Sequence, residues 1–155
     1  MKIGEVARLV GVSISTLRLY EQKGLIEAGR SDGGTRHYGE EDIARFCAIV
    51  GMTRAEVSID ALAQLARIRA ASASGNVASR RVESSLAEIE AAIEDRIQTL
   101  QSARSDIRRA VQRLAGCHDC SKRPTRRNCN GCPVADKLLV CKVMRIVWDQ
   151  EHGGG

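Results

Sequence analysis

Aromatic residues are scarce in this chain. One Trp, two Tyr and one Phe amount to 3% of 155 residues. Any core must therefore be aliphatic and modest, and association of copies would add stability that a small interior does not supply. Long hydrophobic runs are also missing, which argues against a membrane-spanning helix, and the N-terminus carries no signal-peptide pattern. A cytoplasmic protein with no membrane partner is expected. Enzyme chemistry is thinly represented: His37, His118 and His152 have no paired nucleophile, and no phosphate-cradling glycine loop occurs. The βαβ pattern that accompanies CxxC thiol-redox enzymes is absent too. No enzyme is expected.

What is present is unevenly placed. The net charge is +5, of which residues 1–76 contribute +1, residues 77–115 +1 and residues 116–155 +3. Such a balance is compatible with nucleic acid without deciding for it. The longest regular feature is the stretch 79–115, which lacks both Pro and Gly. Val82, Leu86, Ile89, Ile93, Ile97, Leu100, Ala103, Ile107, Val111 and Leu114 recur there at steps of three and four. That spacing draws one apolar stripe along a helix of roughly 50 Å at about 1.5 Å per residue. A short chain has little with which to cover such a stripe, so pairing with the same helix of a second copy, a homodimer, is expected.

Residues 1–70 read as a separate head. Ile3, Val6, Ala7 and Val10 share a helical face that Gly11 ends, and Ser13 can cap a second helix with Ile14 and Leu17 turned inward. This is a helix-turn-helix pattern, and its second helix is expected to present Ser13, Ser15, Thr16, Arg18 and Tyr20 outward. Short hydroxyls suit base edges or phosphates, and Arg18 and Tyr20 suit phosphates. Asp32-Gly33-Gly34 is a turn signal between short extended flanks, which predicts a hairpin wing carrying Arg30, Arg36, His37 and Tyr38. Lys23 completes the candidate DNA-contact set. A third helix follows with Ile43, Phe46, Cys47 and Val50 on one face, Cys47 being a small core residue. Ser58 can cap a fourth helix bearing Ile59, Leu62, Leu65 and Ala66. Residues 71–78 are small and polar and form the joint to the long helix.

The ordered set IGEVA, GVS, TLRLYE, GLI, RHY and EEDIARF resembles the DNA-binding domain of the MerR family of bacterial transcription regulators. The likeness covers about the first 70 residues, and the long helix is similar to the family's antiparallel dimer coiled coil. It implies a winged-helix dimer on a near-palindromic element of double-stranded promoter DNA. Such regulators distort DNA whose spacer between RNA polymerase recognition elements is too long, and so activate transcription. By motif match, Thr16, Arg18 and Tyr20 would be recognition-helix contacts, and Arg36 and Tyr38 wing contacts to phosphate. The chain departs from the family in having Leu19 where a tyrosine is usual, Thr35 before Arg36, and no proline after Gly24-Leu25-Ile26.

After Gly116, which stops the long helix, come two CxxC pairs, Cys117/Cys120 and Cys129/Cys132, and then Cys141. In a reducing compartment, clustered thiols point to metal ligation rather than disulfides. Two CxxC turns supply four thiolates, a complete tetrahedral set for Zn²⁺ or another thiophilic ion. Four thiolates around a divalent ion leave negative charge, and Lys122, Arg123, Arg126 and Arg127 lie in the intervening loop to offset it. His118 and Cys141 are secondary candidates: the first more readily faces solvent, and the second lies in an apolar helical stretch, LLVCKVMRIVW, where a buried cysteine fits. The stretch beginning Cys132-Pro133 resembles the segment that closes the metal loop of the family's heavy-metal sensors. Mercury and lead sensors borrow a partner cysteine near the start of the long helix, where this chain reads Ser79-Arg80-Arg81. The family's redox branch carries a [2Fe–2S] cluster on four C-terminal cysteines, and this set is chemically adequate for one.

The fold expected is mainly α: a winged helix-turn-helix head with a small β wing over 1–70, a dimerisation helix over 79–115, a Cys-rich metal-binding loop and short helix over 116–150, and a flexible tail over 151–155. The function expected is a dimeric, DNA-distorting transcription regulator governed by a cysteine-ligated metal centre. A [2Fe–2S] redox sensor and a regulator with purely structural zinc are the alternatives. The last helix is expected to carry the state of the centre to the partner or the head.

Overall fold

The computed structural model describes residues 1–27, 29–30 and 36–148. The Asp32-Gly33-Gly34 turn, the tail over 151–155 and the side chains of Arg30, Arg36 and Trp148 lie outside the described residues. The chain divides into two compact units, Met1–Glu94 and Asp95–Gly155. Among the described residues, no helix is long and apolar enough to cross a membrane.

In the first unit, helix α1 (Ile3–Val10) buries Val6, Ala7 and Val10 and ends at Gly11. Gly11 has φ 73°, a left-handed conformation that glycine adopts without a Cβ penalty, and its N–H closes the last turn on Ala7 O. Helix α2 (Ile14–Gln22) starts three residues later, where Ser13 Oγ accepts the Thr16 N–H at 3.1 Å. A tight turn with a cap on each side thus makes the helix-turn-helix. Strands β1 (Gly29–Arg30) and β2 (Arg36–His37) pair antiparallel, Gly29 opposite His37 and Arg30 opposite Arg36. The wing is tied down at its base because Met1 and Tyr38 exchange both backbone hydrogen bonds, at 2.8 and 3.0 Å.

Helix α3 (Glu40–Arg54) carries Glu40, Glu41 and Asp42 in its first turn, where carboxylates suit the exposed N–H groups. Its inward face is Phe46, Ile49 and Val50; Cys47 is exposed, which corrects the expectation of a core cysteine. One residue is about 100° of helix, so a face centred on Phe46 and its i+3 and i+4 neighbours turns Cys47 outward. Helix α4 (Ile59–Arg67) begins at Ser58, whose Oγ accepts the Ala61 N–H at 3.1 Å. Leu17, Tyr20, Leu25, Ile26, Tyr38 and Phe46 form the centre of one core with these helices, each 4% exposed or less. A fully buried Leu or Phe contributes about 1.5–3 kcal/mol, so the head relies on the whole of this core rather than on any few of its residues.

Helix α5 (Gly75–Leu114) begins four residues before the expected start because Ser74 takes the Val77 N–H on its Oγ. Ile89 and Ile93 pack against the first core. In the second unit, Ala110 of α5, Leu138, Cys141 and Met144 form a smaller core, edged by Leu114, Cys117, Val134 and Val143. The expected single last helix is instead three pieces: α7 (Pro133–Leu139), a tight turn over Lys142–Met144 and α8 (Arg145–Trp148). The chain turns extended at Cys141, with φ −82° and ψ 119°, and buries that side chain completely.

Glu56, between α3 and α4, holds φ 62°, a left-handed conformation costly for a residue with a Cβ. Replacing Glu56 by Gly removes that cost, and urea unfolding should show a gain of about 0.5–1 kcal/mol. A loss of stability would mean that the Glu56 side chain holds the turn.

Candidate nucleic-acid interface and metal centre

The exposed face of α2 follows from what its other face buries. Leu17 is 0% and Tyr20 2% exposed, so Ser15, Arg18, Leu19 and Gln22, at helical steps of three and four, are the residues turned to solvent. Ser13 is exposed, but its Oγ is engaged: it accepts the Thr16 amide and lies 2.7 Å from Ser15 Oγ and 2.8 Å from Thr16 Oγ1. Thr16 itself is half-buried. Ser13 and Thr16 thus shape the start of α2, while Ser15 and Arg18 reach outward. Leu19 and Gln22 were missed from the sequence. Counting helical steps from Ser15 finds both.

Two expected phosphate contacts do not point outward. Tyr20 is a core ring whose hydroxyl lies 3.3 Å from Thr53 Oγ1. Tyr38, also 2% exposed, packs edge-on to Phe46 with ring centroids 5.6 Å apart, and its hydroxyl donates to Glu21. In a chain with so few large side chains the two tyrosines are needed as filling, and each keeps a partner for its buried hydroxyl. Lys23 donates to Asp60 at 2.7 Å, and Asp60 is held below the usual carboxylate range chiefly by that bond. The pair is largely exposed and adds little stability. His37 is exposed at the base of the wing.

In the second unit, each CxxC pair closes a turn: the Cys120 N–H donates to Cys117 O, and the Cys132 N–H to Cys129 O, both at 3.1 Å. Cys129 ends the short helix α6 (Arg126–Cys129), which Thr125 caps, and Cys132 is the residue from which α7 starts, with Pro133 at its first position. Cys117 lies at the end of α5's terminal turn. Cys117 feels the other three sulfurs. Burial pushes the Cys117 thiol up, and the charges of Cys132, Cys120 and Cys129 push it further. Cys132 moves the other way: the amides of Ala135 and then Val134, aimed from the start of α7 without a full capping bond, lower it, with Lys122 assisting. Among the described residues, no three His, Cys, Asp or Glu side chains gather closely enough to hold an ion. The donor chemistry still suits one, because two CxxC turns offer four thiols, a tetrahedral set for a thiophilic cation. His118 is exposed.

Helix α5 holds this segment from below. Asp106 is the one buried charged residue among the described residues, at 8% exposure. It accepts the Val143 N–H at 2.8 Å and Arg109 at 3.2 Å. Two turns along, Arg113 donates to Lys137 O and lies 3.4 Å from Cys141 Sγ. Gly116 allows a close approach, since a Cβ there would stand 3.0 Å from Val134 Cγ2.

A helix-turn-helix with a wing, followed by one long helix and a cysteine-rich end, defines a DNA-binding regulator class. Residues 1–68 match the model of the MerR HTH family regulatory protein. A probable heavy metal-dependent transcriptional regulator of Haemophilus influenzae is 32% identical over 120 residues, 77% of this chain and 86% of that protein. The mercuric resistance operon regulatory protein of Pseudomonas fluorescens is 36% identical over 69 residues, 44% of this chain, which spans about half (48%) of that protein. A crystal structure of a MerR family transcriptional regulator from Listeria monocytogenes is similar at TM-score 0.67 and 26% identity, covering 76% of this chain and 87% of that one. The chain belongs to the MerR family of transcription regulators, which are not enzymes.

Two outcomes follow from the geometry around α5. Gly116→Ala forces Val134 away, an overpacking cost of about 1–3 kcal/mol, and should appear as faster hydrogen exchange confined to α7. Asp106 is held below its ordinary value near 3.8, first by the Val143 amide, against the opposing effect of burial. A lowered folded-state pKa stabilises above the ordinary value and ceases to do so as pH falls through the lowered one. The Val143 amide resonance should therefore stay constant from neutral pH to about 4 and move only below it.

Proposed function

We propose that this regulator binds double-stranded promoter DNA as a homodimer and that a thiophilic metal ion on Cys117, Cys120, Cys129 and Cys132 sets its activity. In this reading the protein works in the cytoplasm and acts on RNA polymerase by distorting the promoter between the polymerase's recognition elements. The observation that carries it is that both CxxC pairs, Cys117/Cys120 and Cys129/Cys132, close tight turns within one compact unit, offering four thiols. The heavy metal-dependent relative, which this chain matches over most of its length, supports it.

Arg18 and Ser15 take the leading contacts at the DNA, with Gln22 and Leu19 beside them on the same face. Gln can pair with adenine and a Leu can meet a thymine methyl, so this face has the means to read bases as well as phosphates. Self-pairing is supported by α5. Leu86, Ile97, Leu100, Ile107 and Val111 are 41–63% exposed on the single chain. Charge supplies the direction: from Val82 to Asp95 every charged residue of α5 is acidic, and from Arg96 to Leu114 all but Asp106 are basic. Two copies laid antiparallel bring the acidic half of each to the basic half of the other; parallel copies would oppose like charges. At the centre, the bound ion would neutralise the thiolates, and Cys132, at the start of α7, would carry that change to the helix.

Arg18→Ala should weaken binding to a promoter half-site by about 1–3 kcal/mol, whereas Tyr20→Phe, changing a buried hydroxyl, should leave it within twofold. Footprinting should protect two half-sites, and a single protected half-site would rule out the dimer. The ion is tested by an absorption spectrum of protein purified without oxygen, with metal and sulfide analysis of the same sample. A colourless protein with about one thiophilic ion per chain supports the proposal. Visible bands with iron and labile sulfide would replace it by a [2Fe–2S] redox sensor. Zinc whose removal leaves transcription unchanged would make the ion structural.

A further inference from the structure

The backbone of the second unit breaks at Cys141, between α7 and the turn over Lys142–Met144. A break of this kind leaves carbonyls without partners behind it and amides without partners ahead of it. Helix α5 supplies one group for each side. Arg113 donates to Lys137 O in the last turn of α7 and reaches Cys141 Sγ at 3.4 Å. Asp106 accepts the Val143 N–H at 2.8 Å. Both groups lie outside the four-thiol set, yet α7 starts at Cys132, so whatever fixes the end and the sequel of α7 also fixes where Cys132 stands.

We infer that Asp106 and Arg113 are positioning residues of the cysteine centre: they clamp the chain on either side of the Cys141 break to α5 and thereby fix α7, from whose start Cys132 is presented. The inference rests on the proposed metal reading and adds two residues that touch no ion. The clamp also has a direction. Asp106 and Arg113 both belong to α5, so an ion that pulls Cys132 toward Cys117 loads the same contacts, and coupling between the centre and the clamp is reciprocal.

The test uses the whole 155-residue chain and Zn²⁺ in competition with a chromophoric chelator. Asp106→Ala and Arg113→Ala should each bind Zn²⁺ about tenfold more weakly than the unaltered chain, the scale seen when groups that orient metal ligands are removed. Asp106→Asn keeps an oxygen for the Val143 amide and should stay within about threefold, a rescue that general loosening would not give. Arg113→Lys keeps the charge but not the fork that spans Lys137 O and Cys141 Sγ, and should remain weak. Two-dimensional NMR gives a second readout: Zn²⁺ should slow exchange of the Val143 amide in the unaltered chain and not in Arg113→Ala. Should an alanine variant fail to fold, the Asn and Lys variants and that amide decide the matter alone. Affinities within twofold across all variants, with the Val143 amide unmoved by Zn²⁺, would overturn the inference while leaving the metal centre intact. An unaltered chain that binds no Zn²⁺ would overturn the metal reading itself.

Discussion

A main-chain break leaves carbonyls and amides that need partners from elsewhere, and in the second unit helix α5 supplies them on both sides of Cys141. Thin cores cannot afford orphaned carbonyls and amides. The small cluster of Ala110, Leu138, Cys141 and Met144 contributes modest apolar burial, so the polar bonds from Asp106 and Arg113 decide how the last segment lies on α5. Because a carboxylate is buried for this purpose, its negative charge is matched by a backbone amide and by Arg109 rather than left alone. The same economy appears in the head, where Tyr20 and Tyr38 serve as core rings and their hydroxyls are tied to Thr53 and Glu21.

Helix α5 is used twice. Its Ile89 and Ile93 complete the first core, and its Ala110 and Leu114 edge the second. What neither core covers stays open on the single chain, Leu100 and Val111 most of all. The stripe that the sequence spacing draws is therefore one pattern with different duties along its length, some within the chain and some left for a second copy under the proposed function.

Most of the fold was legible from spacing and punctuation. Gly11 with Ser13, and later Ser58, marked helix boundaries correctly because caps are local chemistry, decided within four residues. The CxxC pairs were legible for the same reason. Burial of individual side chains was less so. Cys47 differs from its neighbour Phe46 only in which way a helix is rotated, and rotation is settled by the whole core. A hydroxyl that suits phosphate does not reveal that the rings of Tyr20 and Tyr38 are buried, and a chain with four aromatic residues has few other large side chains to pack. The break at Cys141 could not be read from an unbroken apolar run; it depends on Asp106 and Arg113, far away in sequence and unremarkable on a helix full of charges. The reversal of charge along α5, by contrast, is plain in the sequence once its halves are counted separately.

Cys47 carries a practical consequence. It is the only thiol of the first unit and stands exposed on α3. In air, two copies can be stapled there by a sulfur–sulfur bond at a place unrelated to α5. Cys120 is exposed as well, so a covalent dimer on a non-reducing gel is a record of storage, and the way two copies recognise each other is visible only with reductant present.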